Sequence, residues 1–98
     1  MEQGGTVYLM SNKTRSVLYI GVTSNLPSRI QEHQNKTHQG FTAKYNCIHL
    51  LHFENFTSIE EAIQREKQLK NWKRQWKDEL ILKFNPNLVD LSSQVLKW

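Results

Sequence analysis

Residues 6–22 read TVYLMSNKTRSVLYIGV: two short runs rich in β-branched and aromatic residues flank the polar segment Asn12-Lys13-Thr14-Arg15-Ser16. This pattern predicts an antiparallel hairpin with strands over residues 6–11 and 17–22 and a loop longer than the minimal two residues. Side chains alternate between the faces of a strand. Val7 and Leu9 therefore share a face with Tyr8 opposite, and Leu18, Ile20 and Val22 share a face with Tyr19 opposite. If the strands pair in register, both phenols lie on the same face. Ordinary strand aromatics packed under a helix would account for that as well as a functional pair would.

Downstream of the hairpin, Asn25 can cap a helix that begins at Leu26-Pro27, because first-turn amides have no intrahelical partner and proline is tolerated there. That helix is expected to fray over residues 35–40. A third strand is expected over residues 47–53. Ser58-Ile59-Glu60-Glu61 reads as a capping box, with the Ser58 hydroxyl on the Glu61 amide and Glu61 reaching back, so a second helix runs from there past Leu69. A further helical stretch ends before Asn85-Pro86, since a residue preceding proline is pushed out of the helical region. The order is β-β-α-β-α-α with a tail, an α+β class.

A chain of 98 residues is expected to form one domain over residues 1–98, with its core at about 5–91. With 38% hydrophobic and 22% charged residues, 4 Gly and 2 Pro, the composition is globular and excludes disordered, collagenous and low-complexity classes. Thirteen Lys and Arg against nine Asp and Glu give a net charge of +4, which favours an anionic partner, nucleic acid first. The single cysteine, Cys47, supports neither an intramolecular disulfide nor a cysteine zinc site and is expected to be a small core residue in a reducing compartment. No apolar run approaches the roughly 20 residues of a membrane span, and residues 1–5 lack signal-peptide features, so a cytoplasmic protein without a membrane partner is expected.

Three polar residues sit where apolar ones belong. In the first helix the i, i+3, i+4, i+7 spacing selects Leu26, Arg29, Ile30 and His33, which places a permanent cation and a titratable imidazole one turn apart toward the sheet. A rotated stripe with Arg29 snorkelling into water is the alternative. In the second helix Ile59, Ala62, Ile63 and Leu69 define the inward stripe, and Glu66 falls in its middle. A carboxylate there calls for a cation, a metal or strong hydrogen bonds, unless it only pairs with Lys70 at the edge of a broader stripe.

Further along, Leu69, Trp72, Trp76 and Leu80 form an apolar stripe assigned to the core. Lys70, Lys73, Arg74 and Lys77 line an adjacent face suited to phosphates or simply solvated. His38, His49 and His52 show no ligand pattern and read as ordinary surface or strand residues.

The ordered set Thr6-Val7-Tyr8, Tyr19-Ile20-Gly21, Arg29 with His33, and Glu66 within Glu61-Ala62-Ile63-Gln64-Arg65-Glu66 resembles the GIY-YIG nuclease domain over about residues 5–91. It is most similar to small stand-alone members related to the N-terminal nuclease domain of the bacterial excinuclease. The first motif reads Thr6-Val7-Tyr8 where the family pattern has Gly-Ile-Tyr. Asp78 stands where many members carry an asparagine, which leaves Asn71 or Asn85 to serve only by another loop path.

The resemblance implies a three-stranded antiparallel sheet flanked by helices and one divalent cation, Mg2+ or Mn2+, held by Glu66. It makes Tyr8 the general base or its relay and brings Tyr19 to the phosphate or nucleophile. Arg29 then stabilises the phosphorane-like transition state, and His33 orients a tyrosine or the phosphate. A phenol with an ordinary pKa near 10 is a poor base at neutral pH, so Tyr8 needs Arg29, the metal, or a lysine or arginine such as Lys13 or Arg15 to lower it. The function implied is metal-dependent endonucleolytic cleavage of DNA, structure-directed or weakly specific, in DNA repair or processing, by a monomer or weak homodimer. A nucleic-acid-binding domain without useful catalysis and a protein-interaction module are the other classes the sequence admits.

Overall fold

In the computed structural model, which describes residues 4–35 and 40–98, strands β1 (Gly5–Ser11) and β2 (Leu18–Thr23) form the expected hairpin. Asn12 shapes its loop: the side-chain oxygen accepts from the Val17 amide at 3.1 Å, and the side-chain amide donates to Ser16 Oγ at 2.8 Å. Register pairs Tyr8 with Gly21 and Met10 with Tyr19, so the two phenols do share a face. Strand β3 (His49–Phe56) pairs antiparallel on the other side of β1, giving the order β2-β1-β3 and leaving β2 at an edge. β3 starts and ends later than expected. Asn46 takes a left-handed turn at φ 56°, and the Cys47 amide bonds Thr42 O at 2.9 Å, which holds the chain back from the sheet.

Helix α1 (Leu26–Gln34) follows its Asn25 cap, whose side-chain oxygen accepts from the Ser28 amide at 3.1 Å. Helix α3 (Ile59–Lys70) starts at the Ser58 cap, and α4 (Arg74–Phe84) ends before Asn85-Pro86 as expected. The Glu61 carboxylate accepts from the hydroxyls of Thr57 and Ser58 at 3.1 and 3.2 Å. Two further one-turn helices, α2 (Phe41–Lys44) and α5 (Ser92–Val95), add to the expected order. The residues between α1 and α2 that include His38 lie outside the described segment.

The sheet separates two apolar layers. On one face Tyr8 and Met10 pack with Leu26 and Ile30 of α1, the buried Cys47, and Leu91 and Val95 around α5. On the other, Val7, Leu9 and Ile20 pack with Ala62 and Leu69 of α3 and Ile81 of α4. Gly5 lets α3 lie close on β1, since a Cβ there would stand 2.8 Å from Ala62 Cβ.

Two stripe assignments need correction. Ile63 is exposed, so the buried line of α3 runs through Ala62 and Leu69 and not through Ile63. The Leu69–Trp72–Trp76–Leu80 stripe crosses a helix break: Asn71 caps α3, and α4 begins only at Arg74. Trp72 and Leu80 pack against the core from its margin, while Trp76 is exposed.

Candidate active site

Tyr8 reaches across β2 because residue 21 has no side chain. A Cβ on Gly21 would lie 2.5 Å from Tyr8 Cζ and from its phenol oxygen, and 2.9 Å from Tyr19 Cε2. The Tyr8 ring is fully buried, and its hydroxyl stands 3.0 Å from His33 Nε2 on α1. The other ring nitrogen, His33 Nδ1, meets the Thr42 hydroxyl of α2 at 3.1 Å, so in either tautomer each imidazole nitrogen has a hydroxyl partner. Tyr19, half-buried, completes the cluster with ring centroids 6.1 Å from Tyr8 and 5.7 Å from His33.

Arg29 stands one turn before His33. It is partly exposed, with its Nε 3.3 Å from Glu32 Oε2. Burial, and after it the Tyr19 phenol, push the Tyr8 hydroxyl well above the ordinary phenol range, while the charge and hydrogen bonding of Arg29 pull the other way and lose. Arg29 therefore does not lower Tyr8 below its ordinary value as unaided base action would require. Arg15 lines a separate hollow with Arg74 and Asp78 between the hairpin loop and α4. With its proton retained, Tyr8 is suited to relaying a proton to or from His33.

Glu66 arrives from the other side of the sheet. Four residues after Ala62 and three before Leu69, it sits on the sheet-facing line of α3 with only 16% of its side chain exposed, and its Oε1 pairs with Lys70 Nζ at 3.2 Å. The ion pair that sequence spacing allowed is thus present, on a carboxylate that is also largely buried. The link to the phenols is a shallow hollow of about 370 Å3 around the edge strand β2, lined by Leu18, Tyr19, Ile20, Phe41, Lys70 and Lys77. The structure thus groups Tyr8, Tyr19, Arg29 and His33 directly; Glu66 does not line this hollow and is linked to it by its ion pair with Lys70, which does. Among the described residues no three His, Cys, Asp or Glu side chains cluster into a metal cage. Glu66 alone fits the way magnesium is commonly held, by one or two carboxylates with water and substrate phosphate oxygens as the remaining ligands.

The basic residues divide by what they touch. Lys70 and Lys77 face the hollow. Lys73 lies over the Trp76 ring, its Nζ 5.7 Å from the centroid. Arg74 is committed to structure: it donates to Asp78 Oδ1 at 2.9 Å and to the carbonyls of Arg15 and Ser16 in the hairpin loop. Of the downstream asparagines, the buried Asn85 is committed too: it donates to the carbonyls of Leu51 and Val89 while accepting from the Val89 amide. Asn71 closes α3 through its backbone N–H, and its side chain is exposed.

His49 is a strand residue paired with Asp90 at 3.4 Å. His52 is more than ordinary: it is buried, its Nε2 lies 2.8 Å from Glu54 Oε2, and its Nδ1 has no hydrogen-bond partner among the described residues. His52, and then Arg65 of α3, hold the Glu54 carboxyl down to about 2 against the opposing effect of burial. Sequence reading did not single out Thr42, Phe41 or the Glu54–Arg65 pair. Only the isolated Phe41 after Gly40, in a polar neighbourhood, offered a signal.

The model of the GIY-YIG catalytic domain matches residues 4–79, a span that includes Tyr8, Tyr19, Arg29, His33 and Glu66. The chain belongs to the GIY-YIG family. The GIY-YIG family is a nuclease family. Among its relatives, a UPF0213 protein of Clostridium perfringens is 37% identical over 75 residues, covering 76% of this chain and 80% of that protein. One from Syntrophus aciditrophicus is 37% identical over 83 residues, covering 82% and 91%. The solution NMR structure of a UPF0213 protein from Bacillus halodurans superposes with a TM-score of 0.51 at 28% identity, covering 80% of this chain and 82% of that one. The three-stranded antiparallel sheet with flanking helices is therefore the GIY-YIG-like fold of these small proteins.

Proposed function

We propose that this chain is a divalent-metal-dependent endonuclease that hydrolyses DNA phosphodiester bonds, structure-directed or weakly specific, in DNA repair or processing. The observation that carries the reading is the buried Tyr8 hydroxyl bonded to His33 beside Tyr19 and Arg29, at a strand edge flanked by Lys70 and Lys77. Phosphodiester hydrolysis gathers negative charge on the phosphate oxygens, and a fixed guanidinium is the side chain suited to meet it. Arg29 takes that role. Tyr8 takes a proton from the attacking water as its own proton passes to His33 Nε2, so the phenol stays neutral and the imidazole holds the proton, and Tyr19 orients the phosphate or that water. Lys70 and Lys77 position the backbone; Lys73 extends the same basic surface. Glu66 holds the cation, which when bound supplies Lewis-acid stabilisation of the phosphate. A protein this small presents little surface to base edges, which favours recognition of DNA shape over sequence.

The test is cleavage of branched, nicked and single-stranded DNA with magnesium or manganese, comparing wild type with Glu66→Gln and Arg29→Ala. Wild type is expected to cut. Glu66→Gln is expected to bind at least as well and not to cut, and Arg29→Ala to lose roughly 10²-fold or more in rate. A wild type that cuts no nucleic acid with any divalent cation overturns the reading in favour of a binding domain without catalysis. The Glu66–Lys70 ion pair, which occupies the one candidate metal carboxylate, is the observation on that side.

A further inference from the structure

Next to the phenol cluster, two aromatic rings lie open to water. Phe41 is 48% exposed and Tyr45 40% exposed, at the two ends of the one-turn helix α2. Single exposed apolar side chains are ordinary, but contiguous exposed rings bordering a candidate site are suited to contact with a ligand. The two rings meet with centroids 4.7 Å apart, and Phe41 lies within 29° of parallel to Tyr19, centroids 6.2 Å apart. The patch therefore continues directly from the candidate active site. Its position is fixed by the same turn, because Thr42 is buried and bonded to His33, while the Phe41 and Tyr45 side chains remain outside. Cations lie beside it: Lys44 Nζ stands 5.4 Å from the Tyr45 ring centre, and Lys70 and Lys77 line the hollow that Phe41 also lines.

Resting on the nuclease reading above, we infer that Phe41 and Tyr45 form a stacking platform for one unpaired nucleobase next to the phosphate that the site attacks. The exposed face of Phe41, with the Tyr45 ring tilted 46° against it, and the lysines beside them match the two parts of a nucleotide, a planar base and an anionic backbone. In a duplex each base is already stacked on both sides and cannot reach the platform without being extruded. The substrate class is accordingly DNA with single-stranded or extruded nucleotides, such as a flap, gap or branch, and intact duplex is bound only through its phosphates.

The experiment measures binding in EDTA, where no cleavage intrudes, to an oligonucleotide carrying 2-aminopurine, either single-stranded or as the same sequence within a duplex. Wild type should bind the single strand more tightly and quench the probe. Phe41→Ala should weaken single-strand binding by roughly 5- to 150-fold and abolish the quenching, leaving duplex affinity in place. Phe41→Trp should keep both. Circular dichroism confirms that each variant is folded before binding is compared. Equal wild-type affinity for both forms, no binding to either, or an equal loss on both in Phe41→Ala overturns the platform. A protein that stacks the probe but never cuts DNA under any divalent cation keeps the platform and overturns the nuclease reading; one that cuts but binds both forms equally does the reverse.

Discussion

Tyr8 occupies its place because of what Gly21 lacks. The hydroxyl bonded to His33 lies where a Cβ at position 21 would come within 2.5 Å of it. Gly21→Ala is therefore expected to displace the phenol and destabilise the fold by about 1–3 kcal/mol, the usual cost of overpacking. Urea unfolding measures the cost, and the loss of contacts between the Tyr8 ring and the His33 ring in NMR reports the displacement; an unchanged midpoint with those contacts intact would contradict the argument. Much of this cluster was legible in the sequence. Period two put Tyr8 and Tyr19 on one face, and helical spacing set Arg29 and His33 one turn apart. The direction in which Tyr8 titrates was not legible, because it depends on how completely the ring is buried, and burial outweighs Arg29. Nor was Thr42, since a threonine bonded to a histidine nine residues earlier leaves no local pattern.

Between elements, the clamp from β3 to α3 is electrostatic. Glu54 on β3 accepts from Arg65 Nε on α3 at 2.8 Å and lies against His52, with its carboxyl lowered from an ordinary 4.5 to about 2. A carboxyl held lower in the folded than in the unfolded chain adds stability that is fully present above about pH 4.5 and is lost as the pH falls toward 2. Denaturant unfolding at pH 6, 4 and 2.5 should show wild type losing more stability across that window than Glu54→Gln does; parallel losses would remove Glu54 from the account. Sequence located α3 through its Ser58 cap but misplaced its inward line, because a four-residue spacing rule drifts against a real helix and Ile63 falls outside the contact. It ran one apolar stripe across the turn at residues 71–73, since Trp72 and Leu80 keep to the core margin on both sides of the break. α2 and α5 are single turns, too short for any periodicity to reveal.

At the scale of the molecule, a sheet with a core on each face has only its edges from which to present chemistry, and β2 is an edge to which both faces contribute. The phenols, His33 and Arg29 come from the α1 side; Glu66 and Lys70 come from the α3 side; Tyr19 and Lys70 line the same hollow. No helix among the described residues is long and apolar enough to cross a membrane. Under the proposal above, these two sides make one site around β2, with Glu66 as its cation ligand. The most direct measurement is paramagnetic broadening by manganese, titrated at low concentration into isotopically labelled protein and followed residue by residue in NMR, with Glu66→Gln as the comparison. Broadening is expected to spread from Glu66 and Lys70 to Tyr19 and Ile20 and to disappear in Glu66→Gln. Broadening centred elsewhere, confined to α3 without reaching β2, or unchanged in Glu66→Gln would contradict the proposal.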